Sequence, residues 1–354
     1  MSVTGLSRVP LAAQPLTRKD FTSDAEVRWC PGCGDYAVLA AFQGLLPQLG
    51  IARENTVVVS GIGCSSRFPY YVDSYGMHSI HGRAPAIATG LAMTRPDLAV
   101  WVVTGDGDAL SIGGNHLIHA LRRNINLTIL LFNNRIYGLT KGQYSPTSEQ
   151  GKVTKSTPAG SLEAPFNPVT LALGAEATFV ARAVDSDRAG LTEVLLAAAQ
   201  HRGASLVEIY QNCPIFNDGA FDALKGRESD QSLIRLQHGE PITFAGGTRG
   251  VVWDQGSHEL RVAEVAEVGL DQVLVHDAHR ADPSLAYQLS RLTDSAGLSQ
   301  APVGIFRDVT RPAYDDLARE QLSGAATGAA LDEALQRLLR GGETWQVGER
   351  KRQE

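Results

Sequence analysis

The chain has 354 residues, of which 43 % are hydrophobic and 20 % are charged, so it can bury a substantial core. Its net charge of −6 argues against a general nucleic-acid-binding surface or an anionic-membrane surface. The sequence lacks an apolar run of membrane-spanning length and a signal-peptide pattern at the N-terminus, so we expect a cytoplasmic protein.

The first 22 residues are expected to form a loosely ordered N-terminal arm, because they show no hydrophobic periodicity. From residue 23 to about 225, apolar strands alternate with helices. The predicted strands lie at 57–59, 98–103, 127–132, 178–184 and 205–210, and the predicted helices at 84–95, 113–123 and 188–201. Strands that are apolar throughout and separated by helices indicate an α/β fold, with a parallel sheet covered by helices on both faces.

The remaining chain shows weaker patterns. We expect residues 226–322 to form a C-terminal extension of the same subunit, with a strand at 272–277 and a helix at 283–292. Residues 323–354 are predicted to form a small-residue linker, a helix with a leucine stripe and a polar tail.

Two polar residues follow neighbouring strands of the predicted sheet. Asp106 lies in a Gly-Asp-Gly turn after one strand, and Asn134 follows the next strand 28 residues later. The carboxyl ends of such strands meet at one edge of the sheet, where ligands bind. Oxygen ligands that leave room for phosphate oxygens suit Mg²⁺, although an ordinary turn and a buried asparagine are the alternative.

The four cysteines form a second pattern. Cys30 and Cys33 share one tight turn, Cys64 lies in a glycine turn at a strand end, and Cys213 follows a predicted strand. A C-x-x-C pair in a long cytosolic chain indicates metal binding or redox activity more than a structural disulfide. The spacing alone does not choose between zinc and an iron–sulfur cluster. Cys64 lies at a strand end beside the edge of the sheet where we expect the cofactor to bind, and this position favours an electron-transferring cluster.

Several segments together resemble a known family. They are Trp-Cys-Pro-Gly-Cys-Gly-Asp at 29–35, Ser-Gly-Ile-Gly-Cys-Ser at 60–65, Thr-Gly-Asp-Gly-Asp at 104–108 and Tyr-Gly-Leu-Thr-Lys-Gly-Gln at 137–143. The run from Gly-Asp-Gly to Asn-Asn resembles the diphosphate-binding motif of thiamine-diphosphate enzymes. Over roughly residues 20 to 320 the chain is similar to the β subunit of the 2-oxoacid:ferredoxin oxidoreductases, and most similar to the 2-oxoglutarate branch.

The resemblance implies specific site residues. It implies a [4Fe–4S] cluster on Cys30, Cys33, Cys64 and Cys213. It implies Mg²⁺ ligands at Asp106, Asn134 and the backbone carbonyl of Ile136. It implies thiamine-diphosphate contacts from Ile62, Gly63, Cys64, Ser65, His81, Gly107, Asp108, Gly138 and Leu139.

Lys141 lies in the loop that leaves the expected Mg²⁺ site. We predict that its cation binds the distal carboxylate of 2-oxoglutarate, which pyruvate lacks. The alternatives are a solvated surface lysine and a contact with a phosphate of the cofactor or of coenzyme A.

The implied activity is oxidative decarboxylation of 2-oxoglutarate with coenzyme A to succinyl-CoA and CO₂, with electrons passing through the cluster to ferredoxin. It requires an α subunit that carries the pyrimidine-binding domain, in an expected α₂β₂ heterotetramer. Pyruvate or a broad range of 2-oxoacids are alternative substrates. A non-redox thiamine-diphosphate decarboxylase or synthase would need no cysteine quartet, and a zinc-stabilised scaffold would need no diphosphate motif.

Overall fold

Most of the strands in the computed structural model are five to eight residues long, and the structure describes residues 4–226, 229–293, 298–323, 328–342 and 345. The strands are β1 (Thr56–Ser60), β2 (Tyr75–His78), β3 (Ala99–Gly105), β4 (Leu127–Asn133), β5 (Phe179–Val184), β6 (Ala204–Tyr210), β7 (Leu233–Leu236), β8 (Thr243–Phe244), β9 (Arg249–Asp254), β10 (Glu259–Glu264) and β11 (Ala301–Asp308).

Helices connect most of these strands. They are α1 (Asp35–Leu49), α2 (Phe68–Tyr71), α3 (Ala84–Thr94), α4 (Asp106–Leu110), α5 (Gly114–Arg122), α6 (Pro168–Gly174), α7 (Arg188–Gln200), α8 (Ser229–Ser232), α9 (Val265–Val268), α10 (Ser284–Ser290), α11 (Tyr314–Leu322) and α12 (Ala329–Arg340). Within the described residues, no helix is long and apolar enough to cross a membrane.

The main sheet has eight strands in the order β2-β1-β3-β4-β6-β5-β11-β7. Its strand pairs are parallel except β11 with β5, which is antiparallel. Successive side chains of a strand point to opposite faces, so Val57 and Val59 pack in one apolar cluster while Val58 packs in another. Both faces of the sheet are therefore covered, and the predicted α/β fold is confirmed.

The prediction of a strand at 272–277 is wrong. This segment makes only isolated bridges, in which Val273 pairs with Val252 and Val275 pairs with Pro241. The extension instead contributes β7 and β11 to the main sheet, while β8, β9 and β10 form a small antiparallel sheet. The pairing of β11 with β5 joins segments that are far apart in the sequence, and a local apolar pattern does not reveal such partners.

The chain divides into two compact units, Met1–Tyr314 and Asp315–Glu354. The predicted helix of the second unit is α12, and its four leucines are exposed. Most of the predicted linker and all of the polar tail after residue 345 lie outside the described residues. The predicted boundaries at residues 22, 225 and 322 stay predictions.

Candidate cofactor site

Polar residues follow three adjacent parallel strands at one edge of the main sheet. Asp106 follows β3, Asn134 follows β4 and Gln211 follows β6. Because β3 pairs with β4 and β4 with β6 in parallel, the carboxyl ends of all three strands lie side by side. This edge is where ligands bind in open parallel sheets.

The carboxylate of Asp106 is buried and held in one orientation. Its Oδ2 accepts hydrogen bonds from the hydroxyls of Ser145, at 2.5 Å, and Thr147, at 2.6 Å. Burial raises the pKa of Asp106 to about 6, while these two hydrogen bonds act in the opposite direction by stabilising the ionised form. The two hydroxyls on one oxygen fix the orientation of the carboxylate.

Asn134 is oriented by backbone and side-chain contacts together. Its Oδ1 accepts the backbone N–H of Ile136 at 3.2 Å, and its own carbonyl accepts a hydrogen bond from Asn217 Nδ2 at 2.9 Å. With the carboxylate of Asp106 and the carbonyl of Ile136, the donor set consists of oxygens only. Such a set fits a hard divalent cation that also binds phosphate oxygens.

Asp108 ties together the loops around this edge. Its Oδ1 accepts hydrogen bonds from His81 Nδ1 at 2.5 Å and from the backbone N–H groups of Gly82 and Ile62 at 2.7 and 3.2 Å. Its Oδ2 accepts from the hydroxyl of Thr104 at 2.6 Å. Both carboxylate oxygens therefore contact protein, and a direct contact of Asp108 with a cofactor stays a prediction.

Gly107 lies where a larger residue cannot fit. The hydroxyl of Tyr137 donates to the carbonyl of Gly107 at 2.9 Å, and a Cβ on Gly107 would overlap the Tyr137 ring. Ile62 and Leu139, both predicted cofactor contacts, keep 43 % and 46 % of their surface exposed. They leave apolar surface at the edge that a bound ring could cover.

The other predicted residues lie in the same loops. Gly63 and Ser65 flank Cys64, and Gly138 begins the turn that carries Lys141. The backbone N–H of Lys141 donates to the carbonyl of Gly138 at 3.0 Å, and Lys141 is exposed with a φ of 76°. A positive φ is uncommon for a residue other than glycine, so the backbone conformation at Lys141 is a specific feature of this turn.

Gly138 lies close to two of the four cysteines. A Cβ on Gly138 would lie 3.6 Å from the Sγ atoms of both Cys64 and Cys213. Cys33 and Cys30 share a turn in which the N–H of Cys33 donates to the carbonyl of Cys30 at 3.0 Å. The structure thus brings two of the four cysteines, which are far apart in sequence, to the loop that follows Asn134.

The four cysteines are free of disulfides, and burial disfavours ionisation of Cys33 and Cys64. Burial raises the pKa of the Cys33 thiol and raises that of Cys64 to about 12, and Asp35 and the other cysteines add to both shifts. The cysteines are therefore close enough to affect one another electrostatically. Thiolates become stable in such a setting when metal binding removes their protons.

Two neighbours of the cysteines were not predicted as site residues from the sequence. The Nε1–H of Trp29 donates to the carbonyl of Cys64 at 2.7 Å and so orients its turn. Asp35 is buried, and burial raises its pKa to about 7, while a hydrogen bond from the side chain of Cys33 acts in the opposite direction. Among the residues that the structure describes, no three His, Cys, Asp or Glu side chains converge closely enough to hold one metal ion.

Four further polar residues of the site were also missed, namely Ser145, Thr147, Gln211 and Asn217. Gln211 follows β6 as Asn134 follows β4, so its position after a strand could have indicated it. The other three lie in long loops, and nothing in their spacing predicts which side chains they contact.

One family model matches the part of the chain that contains Asp106 and Asn134. Residues 61–209 match the family model for the C-terminal TPP-binding domain of thiamine pyrophosphate enzymes. The chain is 65 % identical over 347 residues to the 2-oxoglutarate oxidoreductase subunit KorB of Mycobacterium tuberculosis, covering 98 % of this chain and 92 % of that protein. It is 47 % identical over 190 residues to subunit beta of 2-oxoacid:ferredoxin oxidoreductase 1 of Aeropyrum pernix, covering 54 % of this chain and 60 % of that protein.

A solved structure extends the similarity over most of the chain. It is the 2-oxoglutarate:ferredoxin oxidoreductase from Magnetococcus marinus with 2-oxoglutarate, coenzyme A and succinyl-CoA bound. The TM-score is 0.73 at 34 % identity, and the match covers 93 % of this chain and 99 % of that chain. From these similarities, the chain belongs to the β subunits of the 2-oxoacid:ferredoxin oxidoreductases, in the 2-oxoglutarate oxidoreductase branch.

Proposed function

We propose that this chain is the cofactor-binding β subunit of an enzyme that converts 2-oxoglutarate and coenzyme A to succinyl-CoA and CO₂ and passes the electrons to ferredoxin. Its partner is an α subunit that carries the pyrimidine-binding domain, in an α₂β₂ assembly. The observation that carries this proposal is the placement of Asp106 and Asn134 at neighbouring strand ends, beside the loop of Gly138, which lies close to the sulfur atoms of Cys64 and Cys213.

Asp106, Asn134 and the carbonyl of Ile136 would hold Mg²⁺, which would anchor the diphosphate of the cofactor. Thiamine diphosphate supplies the electron sink that decarboxylation of a 2-oxoacid needs. Ser145 and Thr147 keep the metal-binding carboxylate oriented, and Asp108 holds the loop of His81 in place. The chain thus contributes oxygen ligands at the strand ends, and hydrogen bonds from neighbouring side chains hold them in place.

Cys30, Cys33, Cys64 and Cys213 would hold a [4Fe–4S] cluster. Four thiolates that bind one zinc ion at about 2.3 Å would have to lie within roughly 4 Å of one another. A cluster holds its four thiolates further apart, because each cysteine binds its own iron, and the position of Cys64 and Cys213 near the loop that follows Asn134 favours this arrangement. The strand ends proposed to hold thiamine diphosphate lie near these cysteines, so electrons would have a short path from the cofactor to the cluster.

The test is anaerobic co-purification with the α subunit, followed by assays with a panel of 2-oxoacids and with ferredoxin as acceptor. We expect a brown complex that reduces ferredoxin with 2-oxoglutarate only when coenzyme A is present. A colourless complex that releases CO₂ without reducing ferredoxin would instead support a non-redox decarboxylase.

The isolated chain is expected to be inactive with every 2-oxoacid. The matched TPP-binding domain accounts for residues 61–209, and a thiamine enzyme also needs a glutamate from a pyrimidine-binding domain, which we assign to the α subunit. The measurement is turnover by the purified chain with an artificial electron acceptor, and the complex at equal concentration is the positive control. Turnover by the chain alone would contradict this division of roles.

Replacement of Lys141 by alanine is expected to lower kcat/KM for 2-oxoglutarate by roughly 10- to 150-fold. Loss of a charge-assisted hydrogen bond to the distal carboxylate should cost about 1.5–3 kcal/mol. Pyruvate has no distal carboxylate, so its kcat/KM should change little. The charge-preserving Lys141→Arg should recover part of the activity with 2-oxoglutarate. An equal fall for both acids would show that Lys141 does not bind the distal carboxylate.

A further inference from the structure

Gln211 lies between the two proposed cofactor sites. It directly follows β6, and its backbone N–H donates to the carbonyl of Asn133 at 3.0 Å, which extends the pairing of β6 with β4 by one residue. Only 1 % of its surface is exposed. A buried carboxamide must have its polar atoms paired, so its contacts are a defined part of the site.

The two ends of this carboxamide contact different sites. Its Nε2 donates to the Sγ of Cys33 at 3.3 Å and to the carbonyl of Asn212, and its Oε1 accepts a hydrogen bond from Asn134 Nδ2 at 3.0 Å. One side chain therefore contacts both a cysteine of the quartet and the amide of a proposed Mg²⁺ ligand.

The orientation of both amides is determined by the backbone around them. The N–H of Ile136 donates to Asn134 Oδ1, so the other end of the Asn134 amide must be its NH₂ group. That NH₂ group needs an acceptor, which assigns the oxygen of Gln211 to its side and the NH₂ group of Gln211 to the sulfur. Both hydrogens of the Gln211 amide are used, one by Cys33 and one by Asn212.

We propose that Gln211 is a positioning residue that links the two cofactor sites. Its N–H···S hydrogen bond stabilises the more negative, reduced form of the cluster and so raises its reduction potential. Its oxygen holds the Asn134 amide so that Oδ1 points at the metal, as outer-shell groups do for metal ligands. This inference rests on the proposed assignment of Cys33 to the cluster and of Asn134 to Mg²⁺.

The experiment compares Gln211→Leu with the wild type, both as the co-purified complex. The reduction potential of the cluster is measured by an EPR-monitored titration. The affinity for Mg²⁺ is measured by calorimetry on metal-depleted complex with excess thiamine diphosphate. We expect the potential to fall by about 59 mV, which is a tenfold change in a one-electron equilibrium. We expect Mg²⁺ affinity to fall roughly 10- to 100-fold.

Two further variants keep the result interpretable. Gln43→Leu is the matched control, because Gln43 is equally buried and its amide donates to the carbonyl of Tyr71 instead. It should leave both measurements unchanged. Gln211→Glu keeps an oxygen acceptor for Asn134 but removes both N–H donors. Its potential should fall while its Mg²⁺ affinity stays near that of the wild type, and this variant tests the proposal if Gln211→Leu does not fold.

The outcomes separate this inference from the proposed function. A wild-type complex without iron, or without Mg²⁺-dependent cofactor binding, would overturn the proposed function itself. A wild type that has both, together with Gln211 variants whose potential and Mg²⁺ affinity match the wild type, would overturn only the role of Gln211. A Gln211→Leu variant in which only one of the two quantities changes would contradict the link between the sites.

Discussion

Replacement of Asp106 by alanine is expected to abolish Mg²⁺-dependent binding of thiamine diphosphate. Asp106 is the only charged protein ligand proposed for this metal, and the other two ligands are a carboxamide and a carbonyl. Loss of an outer-shell partner of a metal ligand commonly costs 10- to 100-fold in affinity. Loss of the charged ligand itself should therefore cost more than about 100-fold. Calorimetry on the metal-depleted complex measures this directly.

Two controls separate a loss of charge from a loss of structure. Asp106→Asn keeps an oxygen that can accept the hydrogen bonds of Ser145 and Thr147, so it tests the charge alone and should also bind Mg²⁺ weakly. The iron content of both variants should equal that of the wild type, because no cysteine contacts Asp106 in the proposed arrangement. Unchanged cofactor affinity in Asp106→Ala would rule out its role as a metal ligand.

Replacement of Cys64 by serine is expected to remove the cluster and to weaken cofactor binding as well. Anaerobic wild-type complex should contain about four irons per chain beyond those of its partners, as one [4Fe–4S] centre requires. The carbonyl of Cys64 accepts the hydrogen bond of Trp29, and its turn also carries the predicted cofactor contacts Gly63 and Ser65. Damage to this turn should therefore appear in both measurements.

The control for Cys64→Ser must come from the same turn, because the chain has only four cysteines and all belong to the quartet. Ser66 is suitable, since its buried hydroxyl has no hydrogen-bond partner among the residues that the structure describes, so Ser66→Ala removes no hydrogen bond there. That variant should keep both the iron and the cofactor. Stoichiometric zinc in place of iron in the wild type would contradict the cluster assignment.

The strands around the site could be predicted because each one is a local pattern. The run from Leu127 to Phe132 is apolar at every residue except Thr128, and the observed strand β4 ends one residue later at Asn133. Burial on both faces of a parallel sheet requires such continuous apolar runs, so sequence and fold agree closely in this part of the chain. The same local patterns predicted that Asp106 and Asn134 lie at the carboxyl ends of neighbouring strands.

Elements whose partners lie far away in the sequence were harder to predict. The strand β11 joins β5 across more than a hundred residues and in the antiparallel direction, while the strand predicted at 272–277 makes only isolated bridges. Pairing with a distant strand depends on which outer strand of the sheet still has an unpaired side, and local propensity carries no information about that. For the same reason, the position of β7 at the outer edge of the main sheet emerged only from the structure.

The sequence by itself determined the family and the α/β fold, and it predicted the residue types of the site, because glycine turns, cysteines and strand-end carboxylates follow fixed spacings. Only the tertiary structure decided which side chains support them. Ser145 and Thr147 meet Asp106 across about forty residues, and Gln211 meets Cys33 across 178. These contacts exist because parallel strands bring their carboxyl ends and following loops to one edge, where side chains from remote segments must satisfy each other's buried polar groups.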